Sequence, residues 1–206
     1  MGGLLSQAHA KHPTTILLFG DSIIAGYGLA EKESLAVQLE EYLTDNKRDV
    51  KVINAGVSGD TTSAGLTRLA WSLKRNSPDI VFLALGANDV LRGLTPTITR
   101  QNLDAMLKIL QANKVRVILS KVEAPASLGE DYMKEVALAY ESLAKEYDVP
   151  LYPFLLQSVF NKPALMLPDG IHPSAAGVKT ITQPLGDYLI KFMKTKKSDE
   201  EDRVNK

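Results

Sequence analysis

A regular alternation between short apolar runs and longer amphipathic stretches constrains the fold of this chain more than any other feature. The short runs are rich in β-branched residues, whereas the longer stretches repeat apolar residues at the spacing of a helix. Strands are predicted at residues 14–19, 50–55, 79–85, 115–120 and 150–154. Helices are predicted at residues 34–46, 62–76, 97–113, 130–147 and 174–194. The chain therefore alternates strand and helix almost from end to end.

Strands that alternate with helices form right-handed βαβ units around a parallel sheet. The run at residues 79–85 is almost continuously apolar, as in a strand that is buried on both faces. The chain has 206 residues, no internal repeat and no linker-like segment, which predicts one domain. We therefore expect an α/β fold with a central five-stranded parallel sheet flanked by helices on both faces. We also expect Pro184 to kink or split the last helix.

Polar, glycine-containing segments follow the first three predicted strands, and a fourth such segment lies late in the chain. They are residues 20–28 (GDSIIAGYG), 54–62 (NAGVSGDTT), 86–89 (GAND) and 169–173 (DGIHP). In open parallel sheets the ligand site lies beyond the carboxyl ends of the strands. These segments are therefore where we expect the chemistry of the protein.

The side chains available in these segments favour nucleophilic catalysis by a serine. The chain has no cysteine, which excludes a thiolate nucleophile and a cysteine zinc site. His172 is the histidine of the folded body, because His9 and His12 precede the first strand. A serine hydroxyl needs a neighbouring base such as neutral imidazole, and a carboxylate on the other ring nitrogen orients that base. Ser22, His172 and Asp169 are therefore candidates for a catalytic triad.

The same segments offer N–H donors for a developing oxyanion. Acyl transfer passes through a tetrahedral intermediate whose negative oxygen needs preorganised donors. The backbone N–H groups of Ser22 and Gly59 and the side-chain amide of Asn88 would supply such donors from three strand ends. Ser58 is a rival serine, but its surroundings lack the glycine spacing of a G-x-S-x-G turn, and we interpret it as structural.

The four segments together resemble the SGNH hydrolases, also called the GDSL esterase family. The motifs match in family order as Gly20-Asp21-Ser22, Gly59, Gly86-x-Asn88-Asp89 and Asp169-x-x-His172. Ile23 stands where the opening motif has leucine, which is a conservative departure. The longer strings NAGVSGDTT, LGANDVLRG and LPDGIHP resemble most the bacterial subgroup of multifunctional thioesterase I, lysophospholipase and arylesterase.

The resemblance implies a three-layer flavodoxin-like sandwich and a serine hydrolase that works through an acyl-enzyme. The implied substrates are carboxylic acyl esters, extending to acyl thioesters and lysophospholipids. Ser22 would be the nucleophile, His172 the base and Asp169 its partner, while Ser22, Gly59 and Asn88 would form the oxyanion hole. The family needs no metal, and we expect no cofactor.

Two loops carry apolar residues that could line an acyl groove, although these residues could also simply cover the core. The candidates are Leu91, Leu94, Pro125 and Leu128.

Several alternatives stay open at this point. The same triad could act on acetylated carbohydrate, since the family also includes such deacetylases. Asp21, Asp60 and Asp89 could instead serve a metal-dependent phosphohydrolase or a flavodoxin-like binding domain, or they could only hold the strand-end loops through hydrogen bonds. Ser22 could be a helix N-cap.

Charge and hydropathy restrict the partners. The chain carries 24 basic and 24 acidic residues, and this balance argues against nucleic acid as a partner. No segment approaches the roughly 18 apolar residues that a membrane span needs, so we expect no stable membrane insertion. The expected partner is a small-molecule ester or thioester, and the sequence does not indicate the oligomeric state.

The ends of the chain differ from its body. Ala8-His9-Ala10 fits the small-x-small pattern of a signal-peptidase site, so residues 1–10 are interpreted as a signal-peptide remnant or as residues added to the native chain. This interpretation predicts a periplasmic or secreted protein, and a chance match would leave it cytoplasmic. Residues 11–195 are predicted to form the hydrolase domain, and residues 196–206 a charged disordered tail.

Overall fold

The computed structural model describes the backbone of residues 12–204 and the side-chain exposure of residues 12–195. The strands are β1 (Thr14–Gly20), β2 (Val50–Gly56), β3 (Ile80–Ala84), β4 (Arg116–Ser120) and β5 (Leu151–Tyr152). The α-helices are α1 (Ser22–Ala25), α2 (Leu35–Asp45), α3 (Thr62–Asn76), α4 (Ala87–Leu91), α5 (Pro96–Ala112), α6 (Glu130–Glu146) and α7 (Ala175–Val204).

The strands form one parallel sheet in the order β2-β1-β3-β4-β5, which confirms the predicted α/β architecture. The register aligns the ends of the three strands that matter most. Gly20 at the end of β1 pairs with Gly56 of β2 on one side and with Ala84 of β3 on the other. The segments that follow these strands therefore leave the sheet at the same level and lie side by side.

Two hydrophobic cores cover the two faces of the sheet, because alternate residues of a strand point to opposite faces. Leu17 and Phe19 of β1 belong to the core that contains apolar residues of α3, α5 and α6. Ile16 and Leu18 belong to the core that contains apolar residues of α2 and α7. All four side chains are completely buried, as expected for a strand in the middle of a three-layer sandwich.

The two short helices α1 and α4 were not predicted, because helices of four and five residues are too short for apolar periodicity. β5 is also shorter than the predicted run at 150–154. Pro150 and Pro153 lack an N–H group, so they cannot donate to a neighbouring strand, and only Leu151 and Tyr152 pair with β4.

Pro184 does not split α7, which runs unbroken past it, so that part of the expectation is wrong, whereas a kink at Pro184 stays a prediction. Ile181, Leu185 and Leu189 are all buried in the core shared with α2, and this packing on both sides of the proline maintains the helix. The backbone of α7 then continues to Val204 where we expected a disordered tail. The Lys, Glu and Asp residues of this stretch can extend an existing helix without the cost of nucleating one.

The predicted signal-peptide remnant at residues 1–10 lies outside the described residues. Between residues 12 and 204, no helix combines the length and the apolar character that a membrane span requires.

Candidate active site

The candidate catalytic side chains meet at the carboxyl edge of the sheet, although Ser22 and His172 are 150 residues apart in the chain. Ser22 Oγ lies 2.7 Å from His172 Nε2. His172 Nδ1 lies 2.7 Å from Asp169 Oδ2. Because an ionised carboxylate can only accept, Nδ1 carries the ring proton and Nε2 is left to accept from the Ser22 hydroxyl. The three side chains thus form a continuous hydrogen-bonded relay that ends at a serine oxygen.

The loop that carries Asp169 and His172 is held by the same carboxylate that orients the imidazole. Asp169 Oδ1 accepts hydrogen bonds from the backbone N–H groups of Ile171, at 2.9 Å, and of His172, at 3.0 Å. The backbone bond from His172, its ring N–H and the bond from Ile171 lower the pKa of Asp169 to about 2. The carboxylate is therefore ionised at neutral pH and can stabilise an imidazolium.

Ser22 is not the N-cap of a helix, which removes the alternative reading of this residue. Asp21 is the N-cap of α1, and its Oδ1 accepts from the Ile23 N–H at 3.1 Å. Ser22 occupies the first helical position, so its hydroxyl is available to His172. Asp21 itself is almost completely buried, and this burial is the main cause that raises its pKa to about 6.

The predicted oxyanion donors are the backbone N–H groups of Ser22 and Gly59 and the side-chain amide of Asn88, and their role stays a prediction. Within residues 12–204, the backbone N–H groups of Ser22 and Gly59 have no protein acceptor. Gly59 has a φ of +84°, a backbone conformation that favours glycine. Asn88 uses one N–H of its amide to donate to the carbonyl of Asp60 at 2.9 Å. This bond fixes the amide plane and leaves its second N–H for a ligand.

Asp89 holds the segment that carries Asn88. It is completely buried and accepts hydrogen bonds from the Thr62 backbone N–H, at 2.8 Å, and from the Thr62 hydroxyl. The Thr99 hydroxyl also donates to it, at 3.3 Å. Asp89 thereby ties the start of α4 to α3 and α5. Like Asp21 and Asp60, it stabilises loop structure, which is one of the roles that the sequence left open for these aspartates.

The structure does not favour the metal site considered as an alternative. Asp60 Oδ2 lies 2.6 Å from Arg68 Nε, and Asp89 is occupied by hydroxyl and N–H donors. Within the described part of the chain, no group of three or more histidine and acidic side chains is placed to hold a metal ion.

Two residues near the site were missed by the sequence analysis. The ring of Tyr27 lies over the imidazole of His172, with 4.4 Å between the ring centroids. Arg68 on α3 forms the ion pair with Asp60. Both lie outside the short motifs, and only the fold brings them to the site. The GYG segment that contains Tyr27 was the nearest available signal.

Of the predicted groove residues, Leu91 ends α4, Leu94 lies in a first loop between α4 and α5, and Pro125 and Leu128 lie in a second loop between β4 and α6. Leu91 and Leu128 expose 58% and 40% of their surface, Pro125 is exposed and Leu94 is half-buried. The Tyr132 hydroxyl donates to the carbonyl of Leu94 at 2.7 Å, which links α6 to the first loop. Their contact with a substrate stays a prediction.

This arrangement can carry out nucleophilic attack on a carbonyl carbon. The serine proton has an acceptor at hydrogen-bonding distance, and the acceptor has an ionised partner. The N–H groups nearby can stabilise negative charge on the carbonyl oxygen.

Comparison with known proteins gives a consistent result. Residues 18–179 match the model of the GDSL-like lipase/acylhydrolase family. The chain is 36% identical over 188 residues to an arylesterase of Vibrio mimicus, covering 91% of this chain and 92% of that protein. It is 39% identical over 171 residues to the thioesterase 1/protease 1/lysophospholipase L1 of Escherichia coli K12, covering 83% and 81%. The fold matches the crystal structure of the psychrotrophic esterase EstA from Pseudoalteromonas sp. with a TM-score of 0.84 and 30% identity, covering 88% of this chain and 99% of that one.

Proposed function

Because this chain belongs to the GDSL-like lipase/acylhydrolase family and is a carboxylic ester hydrolase, we propose that Ser22, His172 and Asp169 carry its reaction. The observation that carries this assignment is the relay of two 2.7 Å contacts from Asp169 through His172 to Ser22 Oγ. The relay ends at a serine whose own backbone N–H has no protein acceptor, and acyl transfer requires both an activated serine and such donors.

The reaction proceeds in two matching halves. Ser22 Oγ attacks the carbonyl carbon of the ester while its proton passes to His172 Nε2. The bond from that carbon to the alcohol oxygen then breaks, and Nε2 returns the proton to the departing alcohol. Water attacks the resulting acyl-enzyme in the same way, with Nε2 taking its proton and returning one to Ser22 as the carboxylic acid leaves. Asp169 remains ionised throughout and stabilises the imidazolium.

The oxyanion is bound by the N–H groups of Ser22 and Gly59 and by the free amide N–H of Asn88. These donors are in place before the substrate binds, so they need no reorganisation when charge develops. Their support comes from the Asp60 carbonyl, which orients the Asn88 side chain. Tyr27 shields one face of the imidazole and restricts its rotation.

The protein acts on small-molecule esters, and we propose acyl esters with an apolar chain as the preferred class. The exposed loop residues Leu91 and Leu128 support this choice, since an apolar chain would cover them. The relative named thioesterase 1/protease 1/lysophospholipase L1 supports acyl thioesters and lysophospholipids as further substrates. Hydrolysis of nitrophenyl esters of increasing chain length tests the class. Activity confined to the acetyl ester would favour the carbohydrate deacetylase instead.

Covalent trapping tests the assignment of the nucleophile. The protein is incubated with a fluorophosphonate, and the labelled serine is identified by mass spectrometry. Labelling of Ser22, together with loss of labelling and of esterase activity in Ser22→Ala, is the expected result. Ser58→Ala is the matched control, because Ser58 is an exposed serine close to Gly59 and should keep both properties. Label on Ser58, or full activity in Ser22→Ala, would refute the assignment.

A periplasmic or secreted location stays a prediction, because the supporting Ala8-His9-Ala10 motif lies outside the described residues. It is tested by fractionating cells that express the full chain and measuring the mass of the mature protein.

A further inference from the structure

We propose that Arg68 is a positioning residue that holds the three oxyanion donors in one geometry. This inference rests on the proposed function, because it assigns Arg68 a task only if Ser22, Gly59 and Asn88 bind an oxyanion. Arg68 lies on α3, outside the family-like motifs of the sequence, and it acts through its contacts rather than by touching the substrate.

The guanidinium of Arg68 connects three different parts of the active-site edge. Its Nε donates to Asp60 Oδ2 at 2.6 Å, its Nη1 to the carbonyl of Ala55 at 2.9 Å and its Nη2 to the carbonyl of Gly20 at 2.9 Å. The two carbonyls belong to Ala55, the penultimate residue of β2, and Gly20, the last residue of β1, and Asp60 belongs to the loop that follows β2. A planar group with five N–H donors can satisfy such a set at once, whereas a lysine ammonium cannot reach all three.

Two of these three acceptors, Gly20 and Asp60, lie within two residues of an oxyanion donor. Gly20 lies two residues before Ser22, and its carbonyl also accepts from the Val57 N–H at 3.0 Å. Asp60 follows Gly59, so fixing its carboxylate restricts the loop on which the Gly59 N–H lies. The backbone carbonyl of Asp60 is also the acceptor that orients Asn88. One side chain therefore sets the relative positions of donors that come from three strand ends.

The surroundings of Arg68 make its position rigid. Its side chain is 20% exposed and that of Asp60 only 10%. The guanidinium carbon lies 4.0 Å from the centroid of the Phe19 ring, and Phe19 is completely buried in β1. An arginine that stacks on an aromatic ring and donates to three separate acceptors has few alternative rotamers available. The exposed Arg92 adds only one further bond, to the carbonyl of Gly59 at 2.9 Å.

The expected consequence is a loss of rate rather than a loss of substrate affinity. The oxyanion N–H donors bind the transition state more strongly than the substrate. Displacing them therefore lowers kcat and leaves KM nearly unaltered. A displacement of about 1 Å in an active site costs on the order of 10²-fold in rate. We therefore expect Arg68→Met to lower kcat about 30-fold to 100-fold, with KM within about threefold of wild type.

The experiment measures kcat and KM per active site, counted by complete fluorophosphonate labelling. The rate of labelling is measured as well, because phosphonylation also places a negative oxygen among the donors. In Arg68→Met, kcat and the labelling rate should fall together while every Ser22 still becomes labelled. A purely structural role would instead lower the melting temperature and the number of active sites, with normal kcat at each remaining site. That result would overturn the proposal.

Three further variants sharpen the test. Arg75→Met on the same helix is the matched control, because Arg75 is exposed and its guanidinium stacks on the exposed Trp71 ring, away from the site. It should keep wild-type kcat. Arg68→Lys retains the charge without the fork and should keep less than about a tenth of kcat. Arg68→Ala should regain part of its kcat in millimolar guanidinium chloride but not in urea, which is planar and uncharged.

These outcomes separate the inference from the proposed function. The positioning role would be overturned if Arg68→Lys kept the wild-type kcat. It would also be overturned if guanidinium chloride and urea had the same effect on the kcat of Arg68→Ala. Neither result would affect the labelling of Ser22. Absence of label on Ser22 in the wild-type protein would instead refute the proposed function itself.

Discussion

Replacing Asp21 by asparagine should make the protein more stable above pH 6 and almost no more stable at low pH. Asp21 is 3% exposed, and its carboxyl lies at the start of α1 beside the nucleophile. Burial raises its pKa from 3.8 to about 6, with Asp60 adding to the rise and with Ile23 and His172 opposing it. Asparagine keeps an oxygen that can accept the Ile23 N–H, so the cap of α1 is retained.

The size of the effect follows from the two pKa values. Each pH unit that separates the folded and unfolded pKa is worth about 1.4 kcal/mol. The difference between 3.8 and about 6 therefore corresponds to about 3 kcal/mol. Well below pH 3.8 the carboxyl is neutral in both states and contributes nothing. As the pH rises, the unfolded chain loses this proton first, so the wild-type protein becomes less stable until the folded state also ionises near pH 6.

Urea unfolding followed by circular dichroism, repeated between about pH 3 and pH 8, measures this dependence. The free energy of unfolding of Asp21→Asn minus that of wild type should rise with pH by about 3 kcal/mol and level off above pH 6. Desolvation of the new amide changes the free energy of unfolding by the same amount at every pH, so it does not alter the slope of this difference against pH. Asp45→Asn is the control, since Asp45 is exposed at the end of α2 and its curve should run parallel to wild type. A parallel curve for Asp21→Asn would refute the argument.

Three further predictions concern the site and its supports. Asn88→Ala should lower kcat on the order of 10²- to 10³-fold with an unchanged melting temperature, and wild-type rates would exclude it from the oxyanion hole. Asp169→Asn should lower kcat on the order of 10³- to 10⁴-fold, because an amide N–H facing Nδ1 favours the wrong tautomer of His172. A loss below about tenfold per labelled site would contradict that role. Gly86→Ala should lower the free energy of unfolding by about 3 kcal/mol, because φ is +118° and a Cβ would overlap the Tyr140 hydroxyl. Urea unfolding within about 1 kcal/mol of wild type would show that the turn adapts.

The sequence was sufficient for the architecture because the relevant signals are local. The β-branched apolar runs and the helical spacing of residues such as Leu35 and Leu39 each depend on only a few neighbouring positions. The rule that parallel strands present their carboxyl ends to one edge then located the site without any coordinates. Local signals were a poorer guide where tertiary packing determines whether a helix continues. The apolar contacts of Ile181 and Leu185 maintain α7 across Pro184, against the intrinsic preference of proline.

The sequence could propose the reacting groups of the candidate site, but it could not indicate the residues that support them. Ser22, His172 and Asp169 belong to short segments whose residue types suit only a few kinds of chemistry. Arg68 and Tyr27 have no such signature, because an arginine on an amphipathic helix and an exposed tyrosine are common in any protein. Their significance depends on distances to Asp60 and His172, which the chain sets only when it folds.

The amino-acid sequence by itself therefore predicted the order of the five strands and the longer helices, the edge of the sheet where the candidate site lies and the residues proposed to react. The tertiary structure alone decided which hydroxyl faces the imidazole, that Asp21 rather than Ser22 caps α1, and that Arg68 joins the ends of β1 and β2 to Asp60. The physical reason is the separation along the chain over which each kind of interaction acts. Periodicity and turn chemistry act over a few residues, whereas a contact across 150 residues depends on the packing of the whole sheet.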